Sequence, residues 1–404
     1  MVINIQKFTS EPRDLATCYL DELERLSVQP EFSHVTFLYL RIRAHWLFNS
    51  DRSHLKIVDS DGVKAACRGE RPVLVLDLSW EGVEFSETLG ENIKDLMDAL
   101  DLMPEQVVFV QTSEAFADQL AASEAPRAVK GIRLAWFHAF LRDLALAAET
   151  ERHFDAGHEM IERRPAPERM FLCLNATPRP PRAALLYYIA RHPQRARFHC
   201  TFHSTAKGKA AVERATRFAV YYLSPYVLDV TPEEVAALVA SHPFDPSGVR
   251  SDSAEQLLNN LEPDLYAATR LSIVTETEMT DGDRRRFTEK SIKPLVMGHP
   301  LVVFGNPGVL RQLEALGFDV LRDLVPSDYD EIVPRRERFA HAVKVVDALL
   351  EADVDPTGSA EIRARLHHNV AQFEGPLLAR VRRRAAASLS EALAPYRTHH
   401  ALTG

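Results

Sequence analysis

Residues 271–317 read LSIVTETEMTDGDRRRFTEKSIKPLVMGHPLVVFGNPGVLRQLEALG. An apolar, β-branched run, Leu271 to Val274, ends in two acidic residues, Glu276 and Glu278. A charged loop with Gly282 follows. Phe287-Thr288-Glu289-Lys290 then opens a short helix that stops at Gly298. A second apolar run, Leu301 to Phe304, ends in Gly305-Asn306-Pro307-Gly308, and another helix begins. Strand, loop, helix, strand, loop, helix is the order of an open parallel α/β sheet. Ligands of such sheets bind outside the carboxyl ends of the strands. Both polar clusters fall at such ends.

Three elements of this stretch resemble the donor-binding motif of the α1,3-fucosyltransferases. They are Thr275-Glu276-Thr277-Glu278, then Phe287-Thr288-Glu289-Lys290, then Gly298-His299-Pro300 with its apolar strand. That family carries Glu-Asn-Ser, a short gap, Tyr-x-Thr-Glu-Lys, a helix and a Gly-x-x-Pro strand entry. The chain departs from it at Thr277-Glu278 and at Pro294 inside the helix. The likeness covers about forty residues closely and the C-terminal half loosely. It implies a GT-B fold: two Rossmann-like α/β domains facing across a cleft, the second holding a nucleotide sugar. It also implies catalysis without a bound metal or other cofactor.

The length of 404 residues exceeds one ordinary core, so two domains are expected. A first Rossmann-like, acceptor domain is placed over 1–160 and a nucleotide-sugar domain over 169–333. C-terminal helices over 334–404 could cross back to the first domain. Buried strands are expected at Val73 to Ser79, Gln106 to Thr112 and Gly131 to Phe137, with helices from Asn92 and Ser113 between them. Residues 152–168, with Pro165 and Pro167, read as the linker. Strands at Met170 to Leu174 and Phe198 to Phe202 then flank a helix from Ala183 to Arg191. Helices are also expected over 15–26, 213–222, 233–239, 254–260 and 337–350, and one long helical segment over 360–396. Residues 34–48 fit either a strand followed by a helix or one helix.

Composition bounds the partners. Hydrophobic content of 46% and charged content of 26% suit a globular chain. The net charge of −9 argues against nucleic acid, whose phosphates call for surplus Lys and Arg. Cys18, Cys67, Cys173 and Cys200 form no C-x-x-C pair, which suits reduced thiols and a cytoplasmic location. No signal peptide and no membrane span are expected. A homo-oligomer is allowed for among the partners.

A nucleotide-sugar donor presents a pyrophosphate, a ribose diol and a sugar, and its leaving group gains negative charge. The site must answer with cations and backbone N–H groups. Lys290, at a helix start capped by Thr288, is assigned to the pyrophosphate, and Glu289, by the resemblance, to the ribose hydroxyls. The loop Asn175 to Arg182, stiffened by three prolines, offers Arg179 and Arg182 to phosphate. Glu276 is assigned to the donor sugar, and Asn306 joins the donor-side set. Each of these also has a plainer reading, as a capped surface helix or a solvated loop arginine.

Asp281-Gly282-Asp283 is a D-x-D triplet, which in the other main glycosyltransferase fold holds a divalent cation, but an acidic Gly loop is more often a turn. His199-Cys200 and His203 lack a second ligand pair. The acceptor base is assigned to Glu81, after the first buried strand, with Asp77 and His138 as alternatives. The acceptor is a glycan, a peptide or a small metabolite. A non-catalytic nucleotide-binding or scaffold protein of the same fold is the second reading. An NAD-dependent epimerase would want a GxGxxG turn that the chain lacks.

Overall fold

The computed structural model describes residues 5–9, 23, 25, 32, 35–41, 61–68, 72–79, 82–163, 167, 169–175, 179–202, 226, 231 and 261–396. The chain runs β1 (Ile5–Thr9), β2 (Thr36–Arg41), α1 (Asp61–Cys67), β3 (Pro72–Asp77), α2 (Glu87–Leu100), β4 (Val107–Gln111), α3 (Phe116–Ala122), α4 (Arg127–Lys130) and β5 (Arg133–Trp136). It continues with α5 (Ala139–Glu151), α6 (His153–Arg163), β6 (Arg169–Asn175), α7 (Pro180–Arg191), β7 (Phe198–Phe202), α8 (Pro263–Ala267) and β8 (Thr269–Thr275). It closes with α9 (Glu289–Val296), β9 (Leu301–Phe304), α10 (Val309–Ala315), α11 (Arg335–Glu351), α12 (Ala360–Ala371) and α13 (Pro376–Ala392). Two compact units result. One is Met1–Asp143 with Leu378–Gly404, the other Leu144–Leu377.

The first unit is a parallel sheet of order β1-β2-β3-β4-β5. Its central strands, VLVLD in β3 and VVFVQ in β4, are buried on both sides, so they read as continuous apolar runs. Parallel crossovers are right-handed. With β2 to β5 in chain order, that handedness sends the described helices between them to the same face. Leu74, Leu76, Val107 and Phe109 pack there against Leu89, Ile93 and Leu96 of α2 and Phe116 and Leu120 of α3. The opposite face, Val73, Val75, Val108 and Val110, is covered by Ala385, Leu389 and Ala392 of α13, with Leu393 and Tyr396 beyond it. Polar contacts fix this cover. The Trp136 N–H donates to Ser388 Oγ at 2.7 Å, and Arg384 lies 3.8 Å over the Trp136 ring.

The second unit holds a parallel sheet of order β7-β6-β8-β9. From β6 the chain steps out to β7, then returns past β6 to β8 and β9. The direction of winding therefore reverses between β6 and β8. In open α/β sheets such a reversal opens a crevice at the carboxyl ends, because adjacent loops leave in opposite directions.

Three expectations are corrected. Residues 153–163 are a helix, α6, rather than linker. Met160 and Ile161 are buried, and Gly157 sits so close to the end of α9 that an added Cβ would lie 2.1 Å from Val296 O. The loop after β6 ends sooner than expected, because α7 begins at Pro180. Proline is tolerated in a first turn, where its missing N–H has no partner to lose. The segment over 360–396 is two helices, not one. Gly375, at φ +120°, turns the chain between α12 and α13, and Pro376 starts the second. Residues 36–41 are strand. The helices expected over 213–222, 233–239 and 254–260 lie outside the described residues, as does nearly all of the one expected over 15–26. No helix among the described residues is long and apolar enough to cross a membrane.

Candidate ligand site at the sheet reversal

Glu276 follows directly on β8, its N–H donating to Phe304 O at 2.9 Å. The residue is 2% exposed. Its carboxylate accepts the Thr288 N–H at 3.0 Å, the Thr288 hydroxyl at 2.6 Å and the Ser291 hydroxyl at 2.6 Å. One anionic group thus fastens the start of α9 to the end of β8. A carboxylate suits a helix N-terminus, where unpaired N–H groups carry partial positive charge. Thr288 is also the N-cap of α9. The spacing of Glu276 from Thr-Glu-Lys-Ser is what lets the loop close on itself.

That anchorage sets the direction of the first turn of α9. Lys290 Nζ pairs with the Glu289 carboxylate and lies 3.3 Å from Thr288 Oγ1. Lys293 is one turn on. Burial pushes its ammonium down to about 8, against the pull of the Glu289 charge and with the push of Lys290. Burial also works to raise Glu289, but the charge and hydrogen bond of Lys290, with Lys293, outweigh it and hold the carboxyl below its ordinary value.

Arg182 arrives from the other side of the reversal, in the first turn of α7, and is 3% exposed. Burial lowers its guanidinium pKa; the Glu276 and Glu289 charges act in the opposite sense. The fold therefore brings Arg182, Glu276, Glu289 and Lys290 into one electrostatic neighbourhood from distant parts of the sequence. Arg179 precedes α7 in extended backbone and is exposed. The floor of the reversal is tied by Asn175. It accepts from the Thr275 hydroxyl, donates to Cys173 Sγ at 3.1 Å, and its N–H reaches Thr201 Oγ1 at 3.1 Å.

Asn306 faces the loop after β8 rather than the first turn of α9. Its Oδ1 accepts the Thr280 N–H at 3.0 Å and the Thr280 hydroxyl at 3.2 Å. Arg338 of α11, 1% exposed, completes this clamp. It donates to Gly305 O at 2.9 Å, to Thr280 O and Val333 O at 2.6 Å each, and to Ile332 O. Burial brings its guanidinium down to about 10. Asp330 repeats the Glu276 device at α10, accepting the N–H groups of Leu310 and Arg311, with burial raising it to about 6.

The acidic triplet is committed elsewhere. Asp281 accepts the Arg335 N–H at 2.7 Å, and Asp283 holds Arg285 by two bonds of 2.8 and 2.7 Å. Glu278 pairs with Arg284 and Arg286. Among the described residues no group of three or more His, Cys, Asp or Glu is placed to hold a metal. His199 lies against Arg169, and Cys200 is opposite Cys173 in the sheet; His203 lies outside the described residues.

In the first unit, Glu81 lies outside the described residues. Asp77 is 3% exposed, with the Tyr39 hydroxyl and the Ser79 N–H (2.9 Å) as donors to it. His138 is buried, and its Nδ1 accepts the Leu141 N–H at 3.2 Å, which leaves the proton of the neutral ring on Nε2. Sequence reasoning missed Asn175, Lys293, Asp330 and Arg338. Asn175 carried a signal, a polar residue closing an apolar strand; the other three carried none in a single sequence.

No known protein-family model matches the chain, and no curated protein matches it. Among solved structures, it is similar to the N-terminal domain of Candida albicans trehalose-6-phosphate phosphatase, at a TM-score of 0.42 and 12% identity over 93% of this chain and 74% of that one.

Proposed function

We propose that the chain is a glycosyltransferase that moves a sugar from a nucleotide-sugar donor, GDP-fucose-like or UDP-linked, to a hydroxyl acceptor with inversion. The observation that carries the reading is the gathering of Arg182, Lys290 and Lys293 with Glu289 beside the sheet reversal. A reversal is where open α/β sheets take nucleotides, and a buried guanidinium with two half-buried ammonium groups suits a diphosphate. Arg182 and Lys290 would hold the pyrophosphate and offset its charge as the glycosidic bond breaks. Glu289 would accept the ribose hydroxyls. Glu276, engaged by Thr288 and Ser291, would act by aiming α9 rather than by touching the sugar. Arg179, exposed at the mouth of α7, would meet the donor only after binding. Asn306 would keep the loop after β8 in place. Glu81 would remove the acceptor proton. The proposal carries a GT-B arrangement with it, and no metal ion in the transfer.

The test is thermal shift with GDP, UDP and their sugars, with and without Mg²⁺. A ligand at a hundred times its Kd stabilises by about 2.7 kcal/mol. A selective rise, unchanged by Mg²⁺ and lost in Lys290→Ala, is expected. No rise with any nucleotide overturns the reading. A rise with no transfer to glycan, peptide or small hydroxyl acceptors supports the nucleotide-binding scaffold instead.

A further inference from the structure

Helix α6 is gripped from two sides. An added Cβ at Gly157 would lie 2.1 Å from Val296 O at the end of α9 and 3.1 Å from Val370 of α12, and one at Gly298 would lie 2.7 Å from Ile161 of α6. At this junction His158 of α6 meets His367 of α12, Nδ1 to Nδ1 at 2.7 Å, with ring centroids 4.9 Å apart and planes 23° apart. That separation is what two rings meeting edge to edge through one hydrogen bond require, so each Nδ1 lies on the lone-pair axis of the other. The outer nitrogens meet carboxylates: His158 Nε2 lies 2.8 Å from Glu374, and His367 Nε2 lies 2.7 Å from Glu162. One chain of hydrogen bonds thus runs Glu374, His158, His367, Glu162 across the seam.

Proton counting makes this chain informative. Three contacts among four groups need three protons, whereas two neutral imidazoles and two carboxylates supply two. The closed chain therefore holds one proton more, wherever along it that proton sits. Remove it, and two Nδ1 lone pairs face each other. Add another, and two N–H groups do. Only the intermediate count closes the contact. Once the rings part and meet water, each imidazole titrates near pH ~6.5. Below that pH the parted rings bind four protons and above it two, against three when closed. Linkage then gives the sign on both sides. As pH falls, the open state takes up a proton and gains on the closed one. As pH rises, the open state releases a proton and gains again. Closure is favoured most near the midpoint.

We infer that His158 and His367 form a proton-operated clasp that joins α6 to α12 behind α9, closed by one shared proton and opened by the gain or the loss of one. The side chains, 30% and 29% exposed, exchange protons with solvent directly. Asp155 of α6 lies in the field of His158 while paired with Arg152 at 2.7 and 3.1 Å, and Glu374 also acts on Arg152. Arg363, one turn before His367, donates to Thr357 O. Arg365 is held by Asp319 and Asp323, and His368 meets Gly317 O at 2.9 Å. On α9, Lys290 pairs with Glu289, and Lys293 lies in the field of the same carboxylate. The clasp stands on the geometry of α6 and α12 alone and does not depend on the nucleotide-sugar reading.

The test is native-state hydrogen exchange of the full chain across neutral pH, each rate divided by its intrinsic exchange rate. Protection of the α6 amides should peak near pH ~6.5 and fall by up to about tenfold per pH unit on either side. His158→Phe and His367→Phe, which keep a ring and remove the shared proton, should each abolish the peak. An α6 profile without that peak, or a peak that persists in both variants, overturns the clasp. Isotopic labelling of the histidine nitrogens keeps the test decisive if the variants do not fold. Near neutral pH the unaltered chain should show two imidazole nitrogens coupled across a hydrogen bond, and absence of such a coupled pair overturns the clasp.

Discussion

In the first sheet the strands cross the unit in chain order, β1 to β5. In the second, the chain leaves β6 for β7 and comes back past it to β8 and β9. The strands themselves are of one kind, apolar runs such as VLVLD and SIVT, buried on both faces. What differs is the order, and the order has two consequences. It puts the helices that join β2 to β5 on one face, so the other face takes its cover from outside those connections, from Leu23, Phe32 and α13. It also decides where polar groups can stay available. At the end of β3, Asp77 is held by its neighbours Tyr39 and Ser79. At the ends of β6 and β8, Arg182 comes within the electrostatic reach of Glu276 and of Glu289 in the first turn of α9. Strand composition builds a sheet; strand order builds a site.

The largest expected effect breaks the second sheet's site. Glu276→Ala leaves the Thr288 N–H and the Thr288 and Ser291 hydroxyls without their carboxylate and removes one of the two negative charges that favour the buried Arg182 guanidinium. The cost should be about 3–5 kcal/mol of unfolding free energy, with loss of nucleotide binding. Urea denaturation measures the first, and an intact midpoint would show that α9 needs no anchor. Leu389→Ala tests the first sheet. This side chain is fully buried on the face that α13 covers. About 2–5 kcal/mol should be lost, while nucleotide affinity of the folded protein stays as it was. Equal loss of affinity would mean that the two units do not act separately.

Lys290→Ala should keep the fold and lose about 3–4 kcal/mol of transition-state stabilisation, read as kcat/KM. A smaller effect follows from Lys293, brought down to about 8 by burial. Its ammonium is charged below that pH and neutral above. Affinity for a nucleoside diphosphate should therefore be full near pH 7 and fall as pH rises through 8, and Lys293→Met should flatten the profile. A flat profile in the unaltered chain would remove Lys293 from the site. The smallest effect is expected for Asp283→Asn, which breaks a half-exposed ion pair worth no more than about 1 kcal/mol and should leave the Mg²⁺ response unchanged.

The strands were legible because burial on two faces writes itself into consecutive residues. Met170 to Leu174 and Leu301 to Phe304 needed no partner to be read. Lys290 and Glu289 were legible through a local motif. Arg182 was only half legible: Pro180-Pro181 before it fits a stiff loop and a helix start equally well, and the choice depends on what Arg182 packs against. The α6 segment was hidden by Pro165 and Pro167 just after it, although its Ile161 packs against Leu366 and Val370 of α12. Arg338 left no trace, since its carbonyl partners are loop backbone from β9 onward and from Thr280, and backbone has no sequence signature. The order of the strands was equally silent, because each run says that it is buried but not beside which neighbour.

The cover that α13 gives the first sheet has a consequence for the way the chain is made. Residues 144–377 form a unit contiguous in sequence, with its own sheet. The N-terminal strands leave the ribosome before it, yet Ala385, Leu389 and Tyr396 reach them only after it. During synthesis the first sheet therefore lacks the part of its cover that α13 supplies until residues 144–377 have been made. The unit whose strands are made first is thus completed only after the other has been synthesised, when α13 reaches the face it covers.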